Sequence, residues 1–136
     1  MPIEVHNMGM KSGDTLKIKG KITDDANRFM VNLGSSEGHI GLHFNPRFDE
    51  TVIVCNSKCD DCWGSEHRDG QFPFSKGVEI KLLITFEGDG FKIKLPNDHV
   101  VEFPNRLSLD EVNYMSVHGD FKMASFCTVN SMIIYD

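Results

Sequence analysis

Apolar and polar residues alternate with a period of two along most of the chain. "TLKIKGKI" sets Leu16, Ile18 and Ile22 on one face and Lys17, Lys19 and Lys21 on the other, as a half-buried strand requires. "VEIKLLITF" repeats the pattern with Val78, Ile80, Leu82, Ile84 and Phe86, and "FKIKL" with Phe91, Ile93 and Leu95. The "EGDG" between them supplies the glycines of a tight reversal, so these segments are expected to form a hairpin. Further strands are expected at Phe29–Leu33, His39–Phe44, Thr51–Asn56, Val100–Phe103, Tyr114–His118, Phe121–Phe126 and Val129–Tyr135. Helical periodicity is nearly absent. Only "SLDEV", where Ser108 and Glu111 have capping-box spacing, predicts a helical turn. Many short strands separated by turn signals predict an all-β antiparallel sandwich.

The same period bears on "HIGLHFNPRF". Run extended, it points Ile40, Leu42, Phe44, Pro46 and Phe48 inward and His43, Asn45 and Arg47 outward in a polar row. Pro46 cannot donate to a sheet ladder, which places this segment at an edge, an end or a bulge, open to a ligand. In "TVIVCN", Val52, Val54 and Asn56 share one face while Thr51, Ile53 and Cys55 share the other, so Asn56 can stand beside the row. "WGSEHRDG" follows, with Trp63 before a glycine and Glu66 and Arg68 on one face.

Length and charge narrow the possible partners. With 136 residues the chain fits one domain, residues 1–136, able to bury a core without staples. Twenty acidic against 14 basic residues give a net charge of −6, which disfavours a nonspecific nucleic-acid or anionic-membrane surface and suits a neutral partner. The start, "MPIEVHNMGMKSGD", lacks the basic and apolar regions of a secretory signal, and no apolar run approaches the roughly 18 residues of a membrane span. Synthesis in the cytosol is expected. Cys55, Cys59, Cys62 and Cys127 then read as free thiols. Cys59 and Cys62 in "CDDC" have the spacing of a zinc half-site, with His67 close behind. No second pair of suitable spacing lies downstream, so the sequence predicts an exposed acidic turn with oxidisable cysteines, and neither a metal nor a cofactor. The aspartates between the cysteines also work against the lowered thiol pKa of a redox pair.

Singly, a histidine or arginine on a strand's outer face is most often only solvated, and a lone tryptophan is more often core than platform. Jointly, the polar face alternates correctly across two segments and continues after Trp63. An indole, amides, an imidazole, a carboxylate and guanidinium groups suit a sugar, whose hydroxyls both donate and accept and whose C–H face packs on an aromatic ring. The competing class is a glycosidase built on Glu66 with Asp60, Asp61 or Asp69, since hydrolysis needs carboxylates about 5 to 9.5 Å apart. Arginines around Glu66 would favour its ionised form and spoil it as a general acid. An intracellular protein-interaction module would leave the polar row as coincidence.

The stretches His43-Phe44-Asn45-Pro46-Arg47-Phe48, Ile53-Val54-Cys55-Asn56-Ser57, Trp63-Gly64-Ser65-Glu66-His67-Arg68 and Phe72-Pro73-Phe74 resemble the galectin carbohydrate-recognition signature. The likeness extends through "LKIKGKI", "FEGDGFKIKLPND" and "VNYMSVHGDFK", over almost the whole chain. It implies a jelly-roll sandwich of the concanavalin A-like lectin type and a prototype, noncovalently homodimeric lectin for β-galactosides such as lactose and N-acetyllactosamine. By the resemblance, His43, Asn45 and Arg47 meet the axial 4-hydroxyl of galactose, and Asn56 and Glu66 hold its 6-hydroxyl. Trp63 packs on the ring, Val54 lines the site, and Arg47, Glu66 and Arg68 reach the neighbouring sugar. It implies no enzymatic activity, glycans of glycoproteins and glycolipids as partners, and exit from the cell without a signal peptide. Three features stand apart from the pattern: a short "DETVI" connection after Phe48, a "CDDC" turn before Trp63 that is unusual in content though ordinary in length, and a C-terminal stretch, Thr128 to Asp136, that runs beyond the usual last strand.

Overall fold

The computed structural model describes residues 2–130. The expected antiparallel sandwich is the observed architecture, and the described residues contain no helix. The strands are β1 (Ile3–Lys11), β2 (Thr15–Ile22), β3 (Phe29–Ser36), β4 (His39–Arg47), β5 (Val52–Cys59) and β6 (Cys62–Trp63), then β7 (His67–Asp69), β8 (Glu79–Phe86), β9 (Gly90–Lys94), β10 (Val100–Pro104), β11 (Glu111–Gly119) and β12 (Phe121–Val129). One sheet runs β1-β11-β3-β4-β5-β6, with β7 also on β5, and the other runs β10-β9-β8-β2-β12. Inner faces meet in a single core that includes Leu16, Ile18, Leu82, Ile84, Phe91 and Ile93 from one sheet and Val31, Leu42, Phe44, Ile53 and Cys55 from the other. The predicted alternation of β2 holds at every position, with its lysines outward. The β8–β9 hairpin closes as expected, with Gly88 at φ 82° and the Glu87 N–H donating to the Gly90 carbonyl at 2.9 Å.

Several expectations are corrected. "SLDEV" forms no helical turn. Ser108 takes a left-handed φ of 53°, and the Asn105 side chain accepts the Leu109 N–H at 3.1 Å, so Glu111 is free to open β11. Val78 precedes β8 and is exposed, because its backbone carbonyl instead accepts from Ile22 at the sheet's end. Phe121–Phe126 and the start of the next predicted segment are one continuous strand, β12, which pairs with β2 as far as Val129↔Thr15. Residues 131–136, which held the rest of that prediction and most of the C-terminal extension, lie outside the described residues. β1, β6 and β7 are strands beyond those expected: the alternation of β1 breaks at Asn7, where φ is 59° and the register with β11 shifts, and β6 and β7 span only two and three residues.

Ile40 does not point into the core. Between Ile40 and His43 the β4–β5 register shifts by one residue, from Ile40↔Lys58 to His43↔Asn56. The extra residue turns Ile40 to the outer face, beside His43 and Trp63, while Leu42 and Phe44 stay in the core. Gly41 makes this possible, since a Cβ there would lie 2.7 Å from Leu109. Pro46 proves to be near the end of β4, which is an interior strand rather than an edge.

Candidate functional site

The outer face of the larger sheet carries a polar row that runs across the strands. Ser116 of β11 opposes Asn32 of β3, Asn32 opposes His43 of β4, and His43 opposes Asn56 of β5. Ser116, Asn32 and His43 are hydrogen-bonded in series, whereas Asn56 bonds to Gly64. The Asn32 amide nitrogen donates to Ser116 Oγ at 3.0 Å, which leaves the Asn32 carbonyl oxygen facing His43 Nδ1 at 2.6 Å. A carbonyl can only accept, so the proton sits on Nδ1, and Nε2 is left as a bare acceptor. Burial holds this imidazole neutral, pushing its pKa down to about 4, and the positive charges of Arg47 and Lys58 act in the same direction.

Pro46 explains how Asn45 is aimed. It has no N–H for the ladder, and the carbonyl of Phe29 on the adjacent strand accepts from the Asn45 side-chain amide at 2.9 Å. The Asn45 oxygen in turn accepts from Arg47 Nε at 2.9 Å. Arg47 Nη1 then meets Glu50 at 3.0 Å and Nη2 lies 3.6 Å from Glu66. Glu66 and Glu50 also bind Arg68, at 3.0 and 2.8 Å, and Glu50 receives Arg28 at 2.9 Å. Two carboxylates thus lock three guanidinium groups. Hydrogen bonds from Arg68 and Arg47 hold the Glu50 carboxyl below its usual pKa.

Trp63 closes the other side. Its ring lies 4.6 Å from that of His43 and is 50% exposed, with Lys58 Nζ 4.8 Å from the ring centre beneath it. Gly64 donates to the Ser57 carbonyl at 2.8 Å and gives its own carbonyl to the Asn56 amide at 3.0 Å, so Trp63 and Asn56 are fixed together. A side chain at Gly64 would be crowded, since a Cβ would meet Arg106 Nη1 and Ser57 Oγ at 3.1 Å and one of them would have to shift. Val54, 1% exposed and opposite both Asn45 and Arg68, floors the middle of the site. Beyond Trp63 the surface continues into a depression of about 230 Å³ lined by residues that include Asn32, Ile40, Tyr114 and His118.

Every candidate residue named from the sequence therefore lies on one face: His43, Asn45, Arg47, Val54, Asn56, Trp63, Glu66 and Arg68. Sequence reasoning missed Asn32, Glu50, Lys58 and Arg106. Asn32 was within reach by counting back through the β3–β4 hairpin, because Ser36↔His39 and Asn32↔His43 belong to one register. Arg106 gave no local signal. It comes from the loop after β10 to donate to the Ser65 carbonyl at 2.7 Å.

This constellation has close counterparts. The family model for galactoside-binding lectins matches residues 2–127. Galectin-2 of Sus scrofa is 52% identical over 119 residues, a match that covers 88% of this chain and 97% of that protein. The chain belongs to the galectin family. Among solved structures, chicken galectin 2 superposes with a TM-score of 0.91 at 50% identity, covering 93% of this chain and 97% of that one. CG-16, a homodimeric agglutinin from chicken liver, also reaches 0.91 at 39% identity, over 95% of this chain and all of its own. As a galectin, the protein is a β-galactoside-binding lectin on a jelly-roll sandwich, and the glycosidase reading is not favoured.

Proposed function

We propose that the polar row and Trp63 bind the galactose of a lactose or N-acetyllactosamine unit. The observation that carries the assignment is the convergence of one acceptor and two kinds of donor beside a half-exposed indole. His43 Nε2 can only accept, whereas Asn45 and Arg47 retain N–H groups after their internal bonds are counted. A hydroxyl donates once and accepts twice, so an axial 4-hydroxyl satisfies all three. An equatorial epimer leaves them unpaired, which is the costly side of polar recognition. Asn56 and Glu66 take the 6-hydroxyl, the ring's C–H face packs on Trp63, and Arg47, Glu66 and Arg68 reach the next sugar. The same locked carboxylates support binding without hydrolysis, because Glu50 and Glu66 are both engaged by guanidinium groups instead of standing free on either side of a scissile bond.

A second copy of the chain fits the open edge of the smaller sheet. β12 is exposed from Ala124 to Thr128, and Phe126, opposite the fully buried Ile18, is itself 39% exposed. An apolar residue on the core-facing side of an edge strand invites continuation of the core by a partner. The homodimeric agglutinin among the similar structures supports this reading. One disaccharide at about millimolar affinity is worth roughly 4 kcal/mol, whereas two sites on a glycan-dense surface gain avidity of roughly 10² to 10⁴. Such valence suits the cross-linking of glycoproteins and glycolipids outside the cell, which a chain made in the cytosol reaches only by export. Neither nucleic acid nor membrane insertion enters this reading. The test is a lactose titration followed by the fluorescence of Trp63, with sucrose as control and a chromogenic galactoside to detect turnover. A saturable change with lactose alone and no turnover is expected; an unchanged signal with no heat of binding would overturn the assignment.

A further inference from the structure

The "CDDC" segment is not used by the sugar site, and the fold gives it a neighbour the sequence hides. Cys59 and Cys62 flank the β5–β6 turn and oppose each other in register. Asp60 and Asp61 both take left-handed φ values, 51° and 63°, as a two-residue type I′ turn requires. The adjacent β3–β4 turn lies against it, and the Asp61 N–H donates to the Gly38 carbonyl at 3.1 Å. His39 is thereby brought over the turn, with Nε2 3.0 Å from Asp60 Oδ1. One ligand atom each of His39, Cys59 and Asp60 lies within 4.8 Å of the others. His67, the histidine that follows the segment in sequence, pairs instead with Cys55, further along β5.

We propose that His39, Cys59, Asp60 and Cys62 form a zinc-class cation site on the back of the hairpin that presents Trp63. Directly opposed residues of an antiparallel pair share a face, so Cys62 lies on the side of Cys59, and its thiol must turn toward His39, Cys59 and Asp60 to complete the set, while the next pair, Lys58 and Trp63, faces the sugar site. Imidazole, two thiolates and a carboxylate are the borderline donor set that zinc prefers. With bonds of about 2.0–2.3 Å, a tetrahedral site needs ligand atoms roughly 3.3–3.8 Å apart. The His39–Asp60 pair is close to that already, and the remaining contraction falls on exposed side chains free to turn. Asp61 adds negative charge nearby, and Lys58 is held on the other face by the Trp63 ring. Metal binding releases the thiol protons and ties β4 to β6 across the end of β5. The buried Cys55 takes no part, since burial pushes its thiol up to about 12.

The experiment uses the whole chain, reduced and stripped with a chelator, then titrated with Co²⁺ and displaced with Zn²⁺. One equivalent should bind, with a thiolate-to-cobalt charge-transfer band that zinc abolishes. Cys59→Ser, Cys62→Ser and His39→Gln should each weaken binding by at least about tenfold. Cys127→Ser should leave it unchanged. Lactose binding by each variant serves as the check that it is folded, and it does not depend on the metal ligands. No charge-transfer band, a band that keeps full intensity and affinity in Cys59→Ser or survives the Cys59→Ser, Cys62→Ser double variant, or one that is lost in Cys127→Ser would overturn the site.

Discussion

In the proposed sugar site, Asn32 of β3 orients the His43 acceptor by holding Nδ1, and its removal isolates that role. Its side chain is 7% exposed, its carbonyl oxygen lies 2.6 Å from His43 Nδ1, and its amide is committed to Ser116. In Asn32→Ala the buried Nδ1–H loses its acceptor, at a cost of about 1–3 kcal/mol. The imidazole escapes part of that cost by moving its proton to Nε2, the atom meant to accept the galactose hydroxyl. Each binding event must then reverse the tautomer, so most of the penalty passes into lactose affinity. At about 1.4 kcal/mol per factor of ten, the Kd rises roughly 5- to 100-fold. The assay pairs calorimetry with nitrogen NMR of His43, which distinguishes the tautomers directly. Ser116→Ala, which removes only the far end of the chain, should weaken binding much less. The reasoning is refuted if Asn32→Ala binds lactose like the parent, or if affinity falls while Nδ1 keeps its proton.

Acid should weaken sugar binding through His43, because protonation removes the Nε2 lone pair, and affinity measured across the acid range should fall with an apparent pKa of about 4. The sign for stability is the same. The unfolded histidine, with a pKa of 6.5, takes up its proton first, so this contribution is complete above pH 6.5 and is lost as pH falls through about 4. The difference amounts to no more than about 3 kcal/mol, and denaturant midpoints in His43→Gln should lack that component. Gly64→Ala should lower lactose affinity and alter Trp63 fluorescence, because the added carbon crowds Arg106 and Ser57 at 3.1 Å; an unperturbed titration would show that the loop yields freely. Lys81→Glu should stabilise the fold by about 0.5 kcal/mol at low salt and by little at high salt, since Lys19 and Lys81 are directly opposed in register. Melting temperatures at the two salt concentrations check it.

By itself the sequence determined the sandwich and which polar residues share its outer face. Strand side chains alternate sides over a distance of two residues, so "TLKIKGKI", "VEIKLLITF" and "HFNPRF" each declare which residues are buried and which stand together outside. Where that local rule was interrupted, only the tertiary structure decided. The one-residue bulge at Gly41 turned Ile40 to the outer face, and it depends on room against Leu109 that no local pattern contains. Asn105 overruled the capping-box spacing of Ser108 and Glu111, and its side chain is anchored by the Gly88 carbonyl of the β8–β9 turn at 2.7 Å, a partner that no local pattern supplies. Asn32, Glu50 and Arg106 reached the site from separate strands and loops, and His39 reached Cys59 across the β4–β5 pair. Periodicity is a property of neighbours along the chain, whereas tautomer, ion-pair partner and ligand geometry are properties of neighbours in space. The first is written in the residues; the second exists only once the sheets have closed.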